Sequence, residues 1–340
     1  YRRAVANVPP TARRPGWLVA RARAALGEAG IRSRMGDNET CLALARGALA
    51  DAERAGDEPT VALALERIHL ALVFLRASDT DGTGERALAA HRALADHAGT
   101  ARVLTNLGIE AYFADRWTDA GTSYLESLDA AERAGTVVPA ATAAINSAEI
   151  LSDQGDWARA MELFDAAIRN YRAVGYPAGI AAATLFWAVA AMRAGDLVVA
   201  DERLASAREQ LEDLGMAEWV DDLDSRRLEL DVLRGTAVPD DGVRLLERFG
   251  AGHPFRVRVL RAVALTCVGH GDHAGARAAL DEALASAPRG FERALTLLAA
   301  ARTVEGERAQ ELSDEADAIL GELGVSRPPP LTAADLSVRT

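Results

Sequence analysis

Few residues in this 340-residue chain carry the types and spacings that chemistry needs. All 38 basic residues are arginine. A chain without lysine holds no GxxxxGK phosphate loop, Schiff-base amine or Ser–Lys dyad. The HExxH and GxSxG patterns are absent as well. The six histidines are His69, His91, His97, His253, His270 and His273. His270 and His273 flank a Gly-Asp step, and a pair without a third ligand makes a poor zinc site. They are expected to border a turn between helices. Carboxylates cluster at Glu218, Asp221, Asp222 and Asp224, but Asp-Asp-Leu-Asp lacks the DDxxD spacing that holds magnesium on one helix face. A solvated acidic helix start, favoured by the helix dipole, is the expectation there. Cys41 and Cys267 lie in apolar helical patterns and are expected to be buried, reduced thiols. Trp117 and Trp157 are expected to pack rather than to cage a ligand. The sequence thus predicts no catalytic set, no metal site and no cofactor.

The elements behind these residues are helices. About half the composition is hydrophobic, at 49%, with only 5% aromatic, so alanine and leucine must supply the packing. The net charge of −12 opposes binding to a phosphate backbone, and no nucleic acid is expected as a partner. No run reaches the ~18 apolar residues of a membrane span, and no membrane partner is expected. The chain opens on Tyr1-Arg2-Arg3 with no signal-peptide pattern. The expectation is a cytoplasmic fragment of a longer protein, with a linker from an upstream domain at 1–16 and a disordered tail at 325–340.

Three segments ending at Gly135, Gly175 and Gly215 align without gaps at a spacing of 40 residues. Equivalent positions hold Gly108, Ala148 and Ala188; Trp117, Trp157 and Leu197; Ala120, Ala160 and Ala200; and Tyr124, Phe164 and Leu204. Each unit makes sense as two antiparallel helices. In the second, Gly155 can close the first helix in the left-handed conformation and Asp156 can cap the next. Trp157, Ala160, Met161, Phe164, Ala167 and Ile168 then form a buried stripe. Pro139 and Pro177 mark helix starts. The Gly-Asp step recurs near residues 36 and 271. The pattern is regular over 102–215. It weakens over 60–99, which holds a polar loop at Ser78–Gly84, and over 221–250, where a long turn is expected at Val238–Gly242. These features predict an all-α, right-handed α-α superhelix of about eight helix pairs over 17–324.

The small residues at 108, 148 and 188, the alanines at 120, 160 and 200, the bulky residues at 124, 164 and 204, and then Ser127, Ala167 and Ala207 resemble the tetratricopeptide repeat. The period of 40 exceeds that family's usual ~34, and the closing proline is displaced into the next helix start. Longer helices, flanked by YRRAVANVPP at the start and ELGVSRPPPL at the end, are similar to the C-terminal sensor regions of actinobacterial multidomain regulators. Those join a nucleotide cyclase or DNA-binding domain to a signal-transduction ATPase. The resemblance implies that the first helix of each pair faces a concave groove, where Arg102, Asn106, Tyr112, Asn146, Glu149, Ser152 and Arg193 are the candidate binding residues. Asn106 and Asn146 occupy equivalent positions. They either read a peptide backbone, as an amide side chain can, or cap contacts between repeats. The lysine clamp of tetratricopeptide co-chaperones is missing. The expected function is a non-catalytic scaffold that binds a protein, a peptide or a small ligand, or the upstream ATPase or effector domain of its own parent chain. A free-standing peptide-sensing receptor and an all-α enzyme are the alternatives.

Overall fold

A computed structural model describes residues 14–77, 82–287 and 289–337. These residues form 17 helices, with no strand among them. In chain order they are α1 (Pro15–Arg34), α2 (Asn38–Ala55), α3 (Glu58–Phe74), α4 (Thr83–Ala93), α5 (His97–Phe113), α6 (Trp117–Ala134), α7 (Val137–Gln154), α8 (Trp157–Val174) and α9 (Pro177–Ala194). They continue with α10 (Leu197–Asp213), α11 (Ala217–Arg234), α12 (Pro239–Arg248), α13 (Arg256–Gly269), α14 (His273–Ser286), α15 (Gly290–Ala301), α16 (Glu307–Glu322) and α17 (Ala333–Ser337). The chain divides into two compact units. The first comprises residues 1–113, 118–146 and 215–218; the second comprises 114–117, 147–214 and 219–340.

Within each unit consecutive helices pack on one another, as α1 on α2 in the first and α8 on α9 in the second, and alternate helices also touch: α3 lies on α5 in the first unit and α13 on α15 in the second. Helix-pair repeats stack in this way. Alanine lets the axes approach closely. In the first unit Ala22, Ala45, Ala48 and Ala64 pack with Leu26 and Ile68 in one core. Gly108 meets the ring of Tyr124: a Cβ at 108 would lie 2.2 Å from that ring's Cε1. In the second unit Phe164, Tyr171, Leu185, Leu204 and Leu211 are fully buried. The stripe on α8 forms as its spacing predicts, with Met161 half-buried. Cys41 and Cys267 are free and buried.

The Gly-Asp steps work as punctuation. Gly155, Gly175 and Gly195 adopt φ of 94°, 66° and 94°. The carboxylates of Asp37, Asp57, Asp156, Asp196 and Asp272 each accept a hydrogen bond from the backbone N–H three residues on. Where a turn lacks glycine, the left-handed position falls on Arg76, Ala95 and Asp115, at φ of 53°, 51° and 59°.

Several expectations need correction. Pro15 and Gly16 belong to α1 rather than to a linker; residues 1–13 lie outside the described ones. Of the Ser78–Gly84 loop, residues 78–81 also lie outside them, and α4 already begins at Thr83. The turn placed at Val238–Gly242 ends sooner, because Pro239 opens α12 as its first residue. Helix α9 is long and apolar enough to cross a membrane by length and composition, with mean hydropathy 1.3. It is 61% buried inside the protein, as a core helix would be. The expected disordered tail is ordered through residue 337, since it carries α17 and anchors itself by the hydrogen bonds described below.

Candidate functional site

In the second unit, polar side chains collect on the helices that open successive pairs. Asp222, Arg226 and Glu229 follow one another at i, i+4 and i+7 on α11, so the 3.6-residue period puts them on one face. Arg258 and Arg261 share a face of α13, and Glu292 and Thr296 share a face of α15. Arg193 closes α9, and Ser152 and Asp153 stand in the last turn of α7.

These groups pair across the helices. Arg193 Nη1 donates to Ser152 Oγ at 3.1 Å and to the Asp153 carboxylate. Arg258 Nη1 donates to Asp222 Oδ1 at 2.5 Å and to Ser225 Oγ at 2.8 Å. Arg261 donates to Glu292 Oε2 at 2.6 Å and to Glu229 Oε1 at 3.2 Å. Arg226 donates to the other Glu229 oxygen at 3.0 Å. The four arginines keep only 6%, 7%, 2% and 8% of their surface, for Arg193, Arg258, Arg261 and Arg226. Burial opposes the Glu292 anion, but Arg261 and Arg258 overcome it and hold that carboxyl at about 2. Glu229 is lowered in the same way by Arg226, Arg258 and Arg261.

Four guanidinium groups therefore face four carboxylates, those of Asp153, Asp222, Glu229 and Glu292. Glu149 lies one turn before Asp153 on α7. Burial and the Asp153 charge push it up to about 8, against the smaller opposing pull of Arg226. The array is thus neutral as a whole, although the buried Nε atoms of Arg226 and Arg258 have no hydrogen-bond partner. It leaves no surplus cation for an acidic ligand. No group of three or more His, Cys, Asp or Glu side chains among the described residues is placed to hold a metal.

The segment after α16 lies against this array. Ser326 donates its N–H and its Oγ–H to the carbonyl of Gln154, at 3.0 and 2.9 Å, and Gln154 Nε2 donates to the carbonyl of Leu323 at 3.0 Å. The Arg327 guanidinium stands 5.1 Å from the centre of the Trp157 ring. Pro329, Pro330 and Leu331 are buried, and they line a cleft with Arg193, Arg226 and Arg261. Beyond it, Arg302 Nη2 donates to both Asp335 oxygens at 2.7 and 2.8 Å, while Asp335 Oδ2 accepts the Leu331 and Thr332 N–H groups at 2.8 and 3.0 Å.

Of the seven groove candidates, Glu149, Ser152 and Arg193 belong to this array. The other four lie in the first unit. Arg102 forks onto Glu66 at 3.0 and 2.9 Å, and Glu66 is 1% exposed. Burial opposes that anion, yet His91 and Arg102 hold it at about 2. Asn106 is buried, Tyr112 is half-buried beside Phe113, and Asn146 keeps a buried Nδ2 without a hydrogen-bond partner. Sequence reasoning missed the array on α11, α13 and α15. The acidic run proves not to be a solvated helix start: Asp222 is buried against Arg258, Asp221 pairs with Arg248 at 2.9 Å, and Asp224 pairs with Arg248 at 2.6 Å. The overlooked signal was opposite charge recurring at helical spacing along α11. His270 accordingly borders its turn, with Nδ1 2.9 Å from the Thr266 carbonyl.

No protein-family model matches the chain, and no curated protein matches its sequence. Among solved structures, the chain is similar to the crystal structure of the apo form of RapI. That likeness has a TM-score of 0.58 at 11% identity and covers 78% of this chain and 97% of that one. At such low identity the likeness speaks for the fold, and together with the all-helical architecture it supports a tetratricopeptide-like helical-repeat region.

Proposed function

We propose that this chain is a non-catalytic scaffold that binds a peptide or an extended protein segment along the first helices of its second unit. The observation that carries the reading is the polar array of α7, α9, α11, α13 and α15, against which an extended stretch of backbone already lies. A neutral surface whose charged groups are paired with one another suits recognition of a neutral chain. Within a longer regulator the same region would serve as its sensor or interaction part; a free-standing receptor is the alternative. Panning a displayed peptide library against the full chain, then mapping the binders by hydrogen exchange, tests the reading. Protection centred on α9, α11 and α13 is expected. Failure to recover any binder, or protection confined to the second helices of the pairs, would remove it.

A further inference from the structure

Residues 328–331 read Pro-Pro-Pro-Leu. Three consecutive prolines hold the backbone extended and carry no N–H groups. Such a stretch can cross a buried surface without leaving donors unsatisfied, which an ordinary extended strand cannot do away from a sheet edge. It does so here: Pro329, Pro330 and Leu331 are buried, with Leu331 8% exposed, in a cleft shared with Arg193, Arg226, Arg261, Leu233 and Leu265. The arginines there are each already paired with a carboxylate, so they present flat guanidinium faces and aliphatic stems rather than free charge. Leu233, Leu265 and Leu295 supply the apolar floor.

The attachment of this stretch differs on its two sides. Upstream, Ser326 is tied by two hydrogen bonds to the end of α7. Downstream, one carboxylate does most of the holding. Asp335 bridges Arg302, just past the end of α15, to the Leu331 and Thr332 backbone, and the ion pair is part-exposed. The short α17 follows directly. A half-buried ion pair contributes little, so loss of Asp335 would loosen the downstream attachment, leaving the hydrogen bond from Arg302 to Thr332 and the array beneath in place.

We propose that this cleft is a binding site for an extended, proline-rich peptide of low charge, and that residues 328–331 of the chain occupy it as an internal ligand which an incoming peptide displaces. The proposal rests on the scaffold reading above and adds the ligand class and the competition. Intramolecular occupancy at an effective concentration near the millimolar range would lower apparent affinity for a micromolar peptide by orders of magnitude.

The test uses the full chain and a fluorescent synthetic peptide with the sequence of residues 326–337. Polarisation is read for the wild type, for Asp335→Ala and for Leu331→Asp, with circular dichroism confirming unchanged helix content. Asp335→Ala alters only the clasp, so it remains decisive if Leu331→Asp misfolds. The peptide should bind Asp335→Ala at least tenfold more tightly than the wild type, and a scrambled peptide should not bind. Equal binding to both chains, or none to the folded variants, would overturn the internal ligand. If library-selected peptides nonetheless bind wild type and Asp335→Ala alike, the scaffold survives and the occluding role does not. If no peptide of any kind binds either chain, both readings fall together.

Discussion

Ala95 holds a left-handed backbone, at φ 51°, in an exposed turn between α4 and α5. A Cβ in that conformation costs about 1 kcal/mol, which glycine avoids. Ala95→Gly should therefore raise unfolding stability by about 0.5–1 kcal/mol in urea titration, although glycine substitutions usually destabilise. Glu149 offers a second test at this scale. Its folded pKa of about 8 lies above its ordinary value of 4.5, so the unfolded chain releases this proton first. Stability contributed by this group is present below pH 4.5 and falls as pH rises towards 8. The groups facing it are Asp153 on its own helix, Arg193 on α9, and Asp222 and Arg226 on α11. Glu149→Gln should match the wild type near pH 4.5 and exceed its stability at pH 8, by urea melts at both values. The sequence placed Glu149, Ser152 and Arg193 among the functional residues because they sit on first helices. It did not indicate that Ser152 and Asp153 would be spent on Arg193, since pairing partners 40 residues apart depend on how helix pairs stack.

At the scale of elements, the repeat was legible because its punctuation is chemical. Gly155 and Asp156 stop one helix and start the next, and the structure shows both acting as expected. The ring-against-small-residue contact was legible too. Gly108 takes Tyr124, while the third repeat offers Ala188 and Leu204 at the same positions. Gly108→Ala should destabilise by about 1–3 kcal/mol through overpacking. Adding Tyr124→Leu should recover part of that loss, because the third repeat already contains the small-plus-leucine pair; thermal melts of the single and double variants check it. What the pattern did not convey lies at the irregular end. Pro239 sits at the first position of a 10-residue helix, and its fixed φ suits both a turn and a helix start. The sequence Pro-Pro-Pro-Leu likewise resembles a solvated linker, and only the buried surface facing it turns it into an ordered part of the protein.

At the scale of the whole chain, two compact units share one vocabulary: alanine-packed helix pairs with arginine as the sole cation other than histidine. Composition disclosed helices that approach closely, because alanine and leucine dominate with few aromatics, and the 40-residue repeat disclosed how they stack. It hid the array, because a net charge of −12 says nothing about how buried charges balance locally. Arg261 is the most buried member of that array, at 2% exposure, and it serves both Glu229 and Glu292. Arg261→Met should cost about 1–3 kcal/mol, since the half-buried Glu292 and Glu229 each lose a charged donor while Arg226 still serves Glu229. Adding Glu229→Gln and Glu292→Gln should return part of that cost, as measured by denaturant midpoints of the single and triple variants.

The arginine–carboxylate array also has a thermal consequence. Taking charges out of water becomes less unfavourable as temperature rises, because ion hydration carries a strongly negative entropy. The pairs joining α7 to α9, and α11 and α15 to α13, should therefore hold these helices together relatively better in the heat than an apolar seam of equal area. A variant with hydrocarbon side chains in place of the whole array would be at its best, relative to the natural sequence, in the cold.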